Sequence, residues 1–79
     1  MTTVTVKKYT REGESKVAVK VGDGVCFKSD VEQGGRIVAI KRGHYGIDLV
    51  LENEHGFYGE YIGGQTRTVV RASDCWIEG

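Results

Sequence analysis

The sequence contains no proline and only two cysteines, Cys26 and Cys75. Without proline, tight turns must depend on the 12 glycines, because glycine adopts positive φ at no steric cost. Two cysteines this far apart do not suit a zinc ribbon or a redox pair, and no Cys-x-x-Cys motif is present. We therefore expect Cys26 and Cys75 to be small buried hydrophobic residues.

An excess of charge and a long apolar run are missing as well. The chain has 11 Lys and Arg against 11 Asp and Glu. Tight, salt-dependent binding to nucleic acid needs cations that neutralise phosphates, so a balanced chain is a poor candidate for it. No apolar run approaches the roughly 20 residues of a membrane span, and the first residues lack the basic and apolar regions of a signal peptide. We expect a cytoplasmic protein with reduced thiols.

The charges that are present are unevenly distributed along the chain. Residues 1–20 carry five Lys and Arg against two Glu, whereas residues 47–63 carry four Asp and Glu with no Lys or Arg. This asymmetry predicts either a dipolar surface that steers a charged partner or an ordinary solvated surface without patches. The acidic segment favours a partner with a basic face.

The segments between the glycines are rich in Val, Ile, Thr and Tyr, and helical spacing of apolar residues is not sustained anywhere. This pattern predicts an all-β fold. In residues 1–20, Thr2 to Thr10 is expected to be a weak, exposed strand or a frayed arm. Val17, Val19 and Val21 share one face at period two. Together the two segments predict a β-hairpin extension.

The rest of the chain predicts five strands in residues 21–79. Val25 and Phe27 share a second face, Ser29 to Gly35 is polar and is expected to be a turn, and Arg36 to Lys41 reads as a central strand. A hairpin tip at residues 43–46 leads to a strand with Ile47, Leu49 and Leu51 on the core face. Further strands are expected at residues 66–71 and 75–77, with one helical turn at 72–74 capped by Ser73 or Asp74.

Residues 53–65 form a long connection with four glycines and no regular period. Long connections inside a small domain are usually functional. This segment supplies most of a candidate contact group rich in Tyr and Arg, the residues that anchor protein interfaces. The alternative is that one or two of these rings close the open end of the fold, above all Phe57. The candidate group is Phe57, Tyr58, Tyr61 and Arg67.

A second candidate group lies at the predicted hairpin tip. Its cations suit phosphates and its ring suits a stacked base, which is typical of binding to single-stranded nucleic acid. The group consists of Lys41, Arg42, His44 and Tyr45.

The sequence also contains segments that resemble known β-barrel proteins. Two motifs are similar to segments of SH3-like barrels of the KOW and Tudor types, namely Gly22-Asp23-x-Val25 and Gly35-x-Ile37-x-x-Ile40. The resemblance covers Val21 to Ile77. It implies a five-stranded barrel with one helical turn before the last strand. The first connection lacks the basic, Gly-rich tip of KOW proteins, which argues against their mode of RNA binding.

Residues 56–61 and 72–77 also resemble short SH3-like proteins of bacteriophages. That similarity implies an accessory protein that acts in the host cytoplasm, for example as an inhibitor of a host enzyme or defence complex.

Motifs for catalysis are not found in the sequence. It has neither a Gly-x-Ser-x-Gly elbow nor a Walker loop. His44 and His55 flank one predicted strand from opposite ends, so a shared metal is not expected, and Asp23 is expected to cap its own turn. We expect a non-enzymatic module without cofactor or metal that binds another macromolecule. A protein partner is favoured, and the alternative is a KOW-like module that binds nucleic acid.

Overall fold

The β-rich segments between the glycines form seven strands in the computed structural model, which describes residues 2–60 and 62–78. The all-β prediction is confirmed. Within the described residues one 3-10 helix, η1, spans Ala72–Asp74 and separates the last two strands. The strands are β1 (Val4–Thr10), β2 (Gly13–Val19), β3 (Gly24–Ser29), β4 (Val31–Gly43), β5 (Gly46–Glu52), β6 (Arg67–Arg71) and β7 (Trp76–Glu78).

All seven strands belong to one open mixed sheet in the order β2-β1-β7-β3-β4-β5-β6. Strand β7 pairs with β1 in parallel and with β3 in antiparallel fashion, and the other pairs are antiparallel. The C-terminal strand therefore joins the N-terminal hairpin to the rest of the sheet. Within residues 2–60 and 62–78, no helix has the length and apolarity needed to cross a membrane.

The core is formed by alternate residues of the strands, because successive side chains point to opposite faces of a sheet. The N-terminal hairpin contributes to this core, since Val4 and Val6 are buried. The frayed-arm alternative for this segment is therefore wrong. Val21 lies beyond the end of β2 and is 54% exposed, so it does not share the buried face of Val19. The buried cluster contains Val4, Val6, Val19, Val25, Phe27, Ile37, Leu49, Leu51, Phe57, Ala72 and Cys75.

The largest departure from the sequence prediction is in residues 29–35. The predicted turn is wrong, because β4 begins at Val31 and its residues 31–36 pair with all of β3. The turn is reduced to Asp30, which has a φ of 65°. Gly35 lies inside β4 and must be small, because a Cβ there would stand 2.8 Å from Cζ of Phe57. In this strand, glycine provides space for an aromatic ring rather than a turn.

Asp23 caps its own turn, as the sequence predicts. The Lys20 backbone N–H donates to Oδ2 of Asp23 at 2.9 Å, and this hydrogen bond lowers the pKa of the Asp23 carboxyl. The turn is fixed to the sheet because the Ile37 N–H donates to the Asp23 carbonyl at 2.9 Å. At the other short turn, η1 begins after Arg71, which is the N-cap in place of Ser73 or Asp74.

Replacing Gly35 tests the role of glycine in β4. We expect Gly35→Ala to lower the free energy of unfolding by about 1–3 kcal/mol, because the added methyl group would overlap the buried Phe57 ring. Gly24→Ala is the control, since its Cβ would come no closer than 3.9 Å to the Gly35 carbonyl oxygen. Urea denaturation compares the two variants. Equal stabilities would contradict this packing.

Candidate binding surfaces

The connection between β5 and β6, residues 53–66, is closed by its own backbone hydrogen bonds. The Asn53 N–H donates to the Thr66 carbonyl, the Phe57 N–H to Gln65 and the Gly64 N–H to Phe57, at 2.9, 2.9 and 3.0 Å respectively. We call this segment the docked loop, because it also packs on the turn between β3 and β4. Its glycines at 56, 59, 63 and 64 all have positive φ, which explains their concentration here.

Phe57 is buried at the base of the docked loop. It is 1% exposed, and its ring centroid lies 5.5 Å from that of Phe27. Phe57 therefore does not belong to the exposed contact group predicted from the sequence. Its position agrees with the alternative interpretation, in which the Phe57 ring closes the open end of the fold. The physical reason is the space that Gly35 leaves for the ring on β4.

Tyr58, the next residue, is held by Gln33 of β4. The Tyr58 N–H donates to Gln33 Oε1 at 2.8 Å, and Gln33 Nε2 donates to the Tyr58 carbonyl at 2.7 Å. One amide side chain thus satisfies both backbone groups of Tyr58, as a neighbouring strand would. The Tyr58 side chain is 69% exposed. The structure therefore presents an aromatic ring to solvent from a fixed backbone.

Two further contacts fasten the docked loop to the β3–β4 turn. The Glu60 N–H donates to Oδ2 of Asp30 at 3.0 Å. Gly59 approaches Ser29 so closely that a Cβ would stand 2.6 Å from Oγ of the serine. Val31 follows this turn and is 47% exposed. Tyr61, the third ring of the predicted group, lies outside the described residues.

Arg67, the remaining member of that group, is held on the sheet by a different element. Its Nη2 lies 2.8 Å from Oε2 of Glu52, and Nη2 of Arg36 lies 3.5 Å from Oε1 of the same carboxylate. The hydrogen bond from Arg67 is the main reason that the pKa of Glu52 is lowered. Arg67 is therefore held by Glu52, whereas Tyr58 is held by Gln33.

The register repeats this arrangement four residues earlier on β5, at Asp48. Asp48 lies opposite Lys41 on one side and Arg71 on the other, as Glu52 lies opposite Arg36 and Arg67. Two of the four acids in residues 47–63 are thus placed between cations of the neighbouring strands. The acidic segment in the sequence does not become a continuous acidic face, and the dipolar surface predicted from it is not supported.

The second predicted group is brought together at the β4–β5 hairpin. Lys41 and Arg42 are exposed on β4, and the His44 and Tyr45 rings meet edge to face at 5.2 Å between centroids. Tyr45 is 82% exposed, the largest exposure among the large hydrophobic residues of the described chain. Among residues 2–60 and 62–78, no group of three or more His, Cys, Asp or Glu could hold a metal ion.

Sequence reasoning did not single out Gln33 and Val31. Both lie in the polar segment that the sequence predicts to be a turn, and no pattern there marks either residue as a support or a contact residue. A signal was present in the glycine pair at 34 and 35, which is adjacent to the β-rich segment 36–41 and belongs to the same strand.

Neither a family model, nor a curated protein, nor a solved structure matches the chain.

The contacts of the docked loop predict how replacing Gln33 changes hydrogen exchange at Tyr58. In Gln33→Ala the Tyr58 amide loses its acceptor, and one hydrogen bond is worth about 1 kcal/mol. We expect its hydrogen exchange to become at least roughly five-fold faster. Gln65→Ala is the control, because Gln65 contributes its backbone groups to the loop. Unchanged exchange at Tyr58 in Gln33→Ala would show that the amide side chain does not hold the loop.

The two cysteines give a second prediction. Both are free thiols, and Cys26 lies opposite Trp76, next to Cys75. Burial raises the pKa of the half-buried Cys26 thiol, and raises that of the buried Cys75 thiol to about 12. Because the thiolate is the reactive form, we expect Cys26 to react with a thiol reagent faster than Cys75, and both rates to rise with pH. A Cys26→Ser variant isolates Cys75. A mass that shows a disulfide would contradict the prediction.

Proposed function

We propose that the chain is a small non-enzymatic binding module of SH3-like architecture that recognises a protein partner. Two features support this architecture. Five strands are adjacent in the order β7-β3-β4-β5-β6, and η1 lies directly before β7 in the chain. Residues 21–79 then form the SH3-like unit, and the hairpin of residues 1–20 extends its sheet. The resemblance to bacteriophage proteins favours a partner from a bacterial host, such as an enzyme or a defence complex.

The observation that carries the proposal is the presentation of Tyr58. Its backbone is fixed by two hydrogen bonds with Gln33, one donated and one accepted by the Gln33 amide, and its side chain is 69% exposed. Because the backbone of Tyr58 is already fixed, only its side chain must be ordered when a partner buries it, and tyrosine is enriched among the residues that dominate interface energies. Val31 adds apolar surface at the same turn.

The charges around Tyr58 favour a protein partner over nucleic acid at this surface. Asp30 lies at the turn and accepts the hydrogen bond from the Glu60 backbone, and the Glu60 side chain is exposed. Carboxylates at this position repel phosphates, whereas they complement the basic face of a protein. Arg67 is not included in the proposed contact, because its guanidinium is already paired with Glu52.

Truncation of the exposed ring tests the proposal. A partner is first captured from a lysate of the source cells, identified, purified and titrated against the chain by calorimetry. We expect Tyr58→Ala to weaken its binding by about 1–2 kcal/mol or more and to change the melting temperature little. Tyr45→Ala is the matched control, since it removes an exposed ring that lies at the β4–β5 hairpin.

Two outcomes would contradict the proposal. In one, Tyr58→Ala lowers the free energy of unfolding and retains binding, which would show that the ring stabilises the fold and does not contact the partner. In the other, Tyr45→Ala or charge reversal at Lys41 and Arg42 abolishes binding while Tyr58→Ala does not, so that the hairpin is the contact surface.

A further inference from the structure

Strand β6 (Arg67–Arg71) has a free edge, because the sheet does not close. It is the last strand in the order β2-β1-β7-β3-β4-β5-β6, and among residues 2–60 and 62–78 it pairs only with β5. An edge strand carries a row of backbone N–H and C=O groups that its own sheet does not satisfy. An extended segment of another molecule that adds to the edge satisfies them.

The hydrogen bonds of the sheet show which residues of β6 face this free edge. The Asn53 N–H donates to the Thr66 carbonyl at 2.9 Å, so the backbone of Thr66 faces β5. The same register continues through β6. Hydrogen-bonded and non-hydrogen-bonded pairs alternate along an antiparallel ladder. The even-numbered residues of β6 therefore bond to β5, and the odd-numbered residues turn their backbone groups to the free edge. The odd-numbered residues are Arg67, Val69 and Arg71.

The same three residues have exposed side chains, and Val69 is 59% exposed between the two arginines. The pair between Arg67 and Glu52 involves Nη2, one of three guanidinium nitrogens that together carry five N–H donors. Within the described part of the chain, no ion pair shorter than 4.0 Å includes Arg71. Both arginines therefore have donors for a further carboxylate.

Strand β5 shows which sequence fits this pattern, because it already pairs with the inner side of β6. An acid of β5 lies opposite each arginine, and a valine lies opposite Val69. Opposite charges and β-branched neighbours at directly opposed positions stabilise a pair of strands. A strand at the free edge with the same alternation, acid-x-apolar-x-acid, would repeat these pairs. The residues of β5 that set the pattern are Asp48, Val50 and Glu52.

Other carboxylates lie near β6 but not opposite it. The two acids of β5 each have a second cation opposite them on β4, so these cross-strand positions hold four cations and two acids. The next acids are Glu54, beside Arg36, and Asp74, three residues after Arg71. Neither lies opposite a residue of β6. The direct cross-strand pairs therefore favour an acid opposite each arginine of the edge.

A second copy of the chain fits this edge poorly. If two β6 strands paired in antiparallel fashion with full overlap, Arg67 of each would lie opposite Arg71 of the other. Like charges at directly opposed positions are destabilising. The other edge strand of the sheet, β2, has Glu14 followed two residues later by Lys16, so it lacks the alternation as well. The arginines thus select against self-association and for an acidic segment.

We propose that the free edge of β6 binds an extended acidic segment of a partner protein as an additional antiparallel strand. The segment has the alternation acid-x-apolar-x-acid. Its backbone bonds to residues 67, 69 and 71, its apolar residue contacts Val69, and its acids pair with Arg67 and Arg71. This edge is separate from the surface at Tyr58, which lies at the β3–β4 turn, and the proposal does not depend on that surface.

Hydrogen exchange measured by NMR tests the edge residue by residue. The probe is the peptide Thr-Asp-Thr-Val-Thr-Glu-Thr, and its control has Asn and Gln in place of Asp and Glu. In the free chain we expect the amides of residues 67, 69 and 71 to exchange at least about five-fold faster than those of 68 and 70. Saturating acidic peptide is expected to slow only the odd-numbered amides, at least about five-fold. The neutral peptide is expected to bind at least about three-fold more weakly.

Charge variants locate the contact, with affinities taken from the chemical shifts. We expect Arg67→Gln/Arg71→Gln to weaken binding of the acidic peptide at least about three-fold and to leave binding of the neutral peptide unchanged. Arg36→Gln/Lys41→Gln is the matched control. It removes the same charge from β4, opposite the same two carboxylates, and is expected to have a smaller effect.

A backbone variant tests the added strand itself. Val69→Pro removes the central N–H of the free edge, and edge strands tolerate proline where the N–H faces solvent. We expect this variant to bind both peptides at least about five-fold more weakly. Circular dichroism confirms that each variant is folded, and the arginine pair decides the outcome if the proline variant is not. Tyr58→Ala is expected to bind as the unchanged chain does, so the two proposed surfaces can fail independently.

Four results would overturn the proposal. The first is no protection of the odd-numbered amides by the acidic peptide, and the second is protection of β2 in their place. The third is equal binding of the acidic and neutral peptides, which would remove the role of the arginines. The fourth is protection of the odd-numbered amides that rises with chain concentration in the absence of peptide, which would show that the edge pairs with a second copy.

Discussion

The contact between the Phe57 ring and Gly35 is the constraint on which the functional surfaces depend. The ring is buried against Phe27 only because β4 has no side chain at position 35, where a Cβ would stand 2.8 Å from Cζ of Phe57. This contact holds the base of the docked loop against the sheet. The next residue, Tyr58, then contacts Gln33 through its backbone, and its side chain is exposed to solvent.

A second constraint is the position of β7 between β1 and β3. This strand places Trp76 beside Lys7 and Cys26, and it sets η1 against the N-terminal hairpin. Because β7 pairs with both β1 and β3, it is the strand that connects the N-terminal hairpin to the rest of the sheet.

Charge along the sequence was a poor guide to charge on the surface. The acidic segment 47–63 has two of its carboxylates placed opposite cations by the pairing of β5 with β4 and β6. The basic N-terminal segment instead sets two lysines opposite each other on β1 and β2. Strand register decides both results, because it determines which side chains from distant parts of the chain become neighbours.

The sequence by itself determined the all-β class, the β4–β5 hairpin, the Asp23 cap and the helical turn before the last strand. These features depend on period-two alternation, glycine turns and short-range hydrogen bonds, all of which act between residues close in the chain. Only the tertiary structure decided that Gly34 and Gly35 lie inside a strand, that Phe57 is buried while Tyr58 is exposed, and that Lys7 and Lys16 lie opposite each other on β1 and β2. The physical reason is that steric space, burial and local charge at these positions are set by partners many residues away.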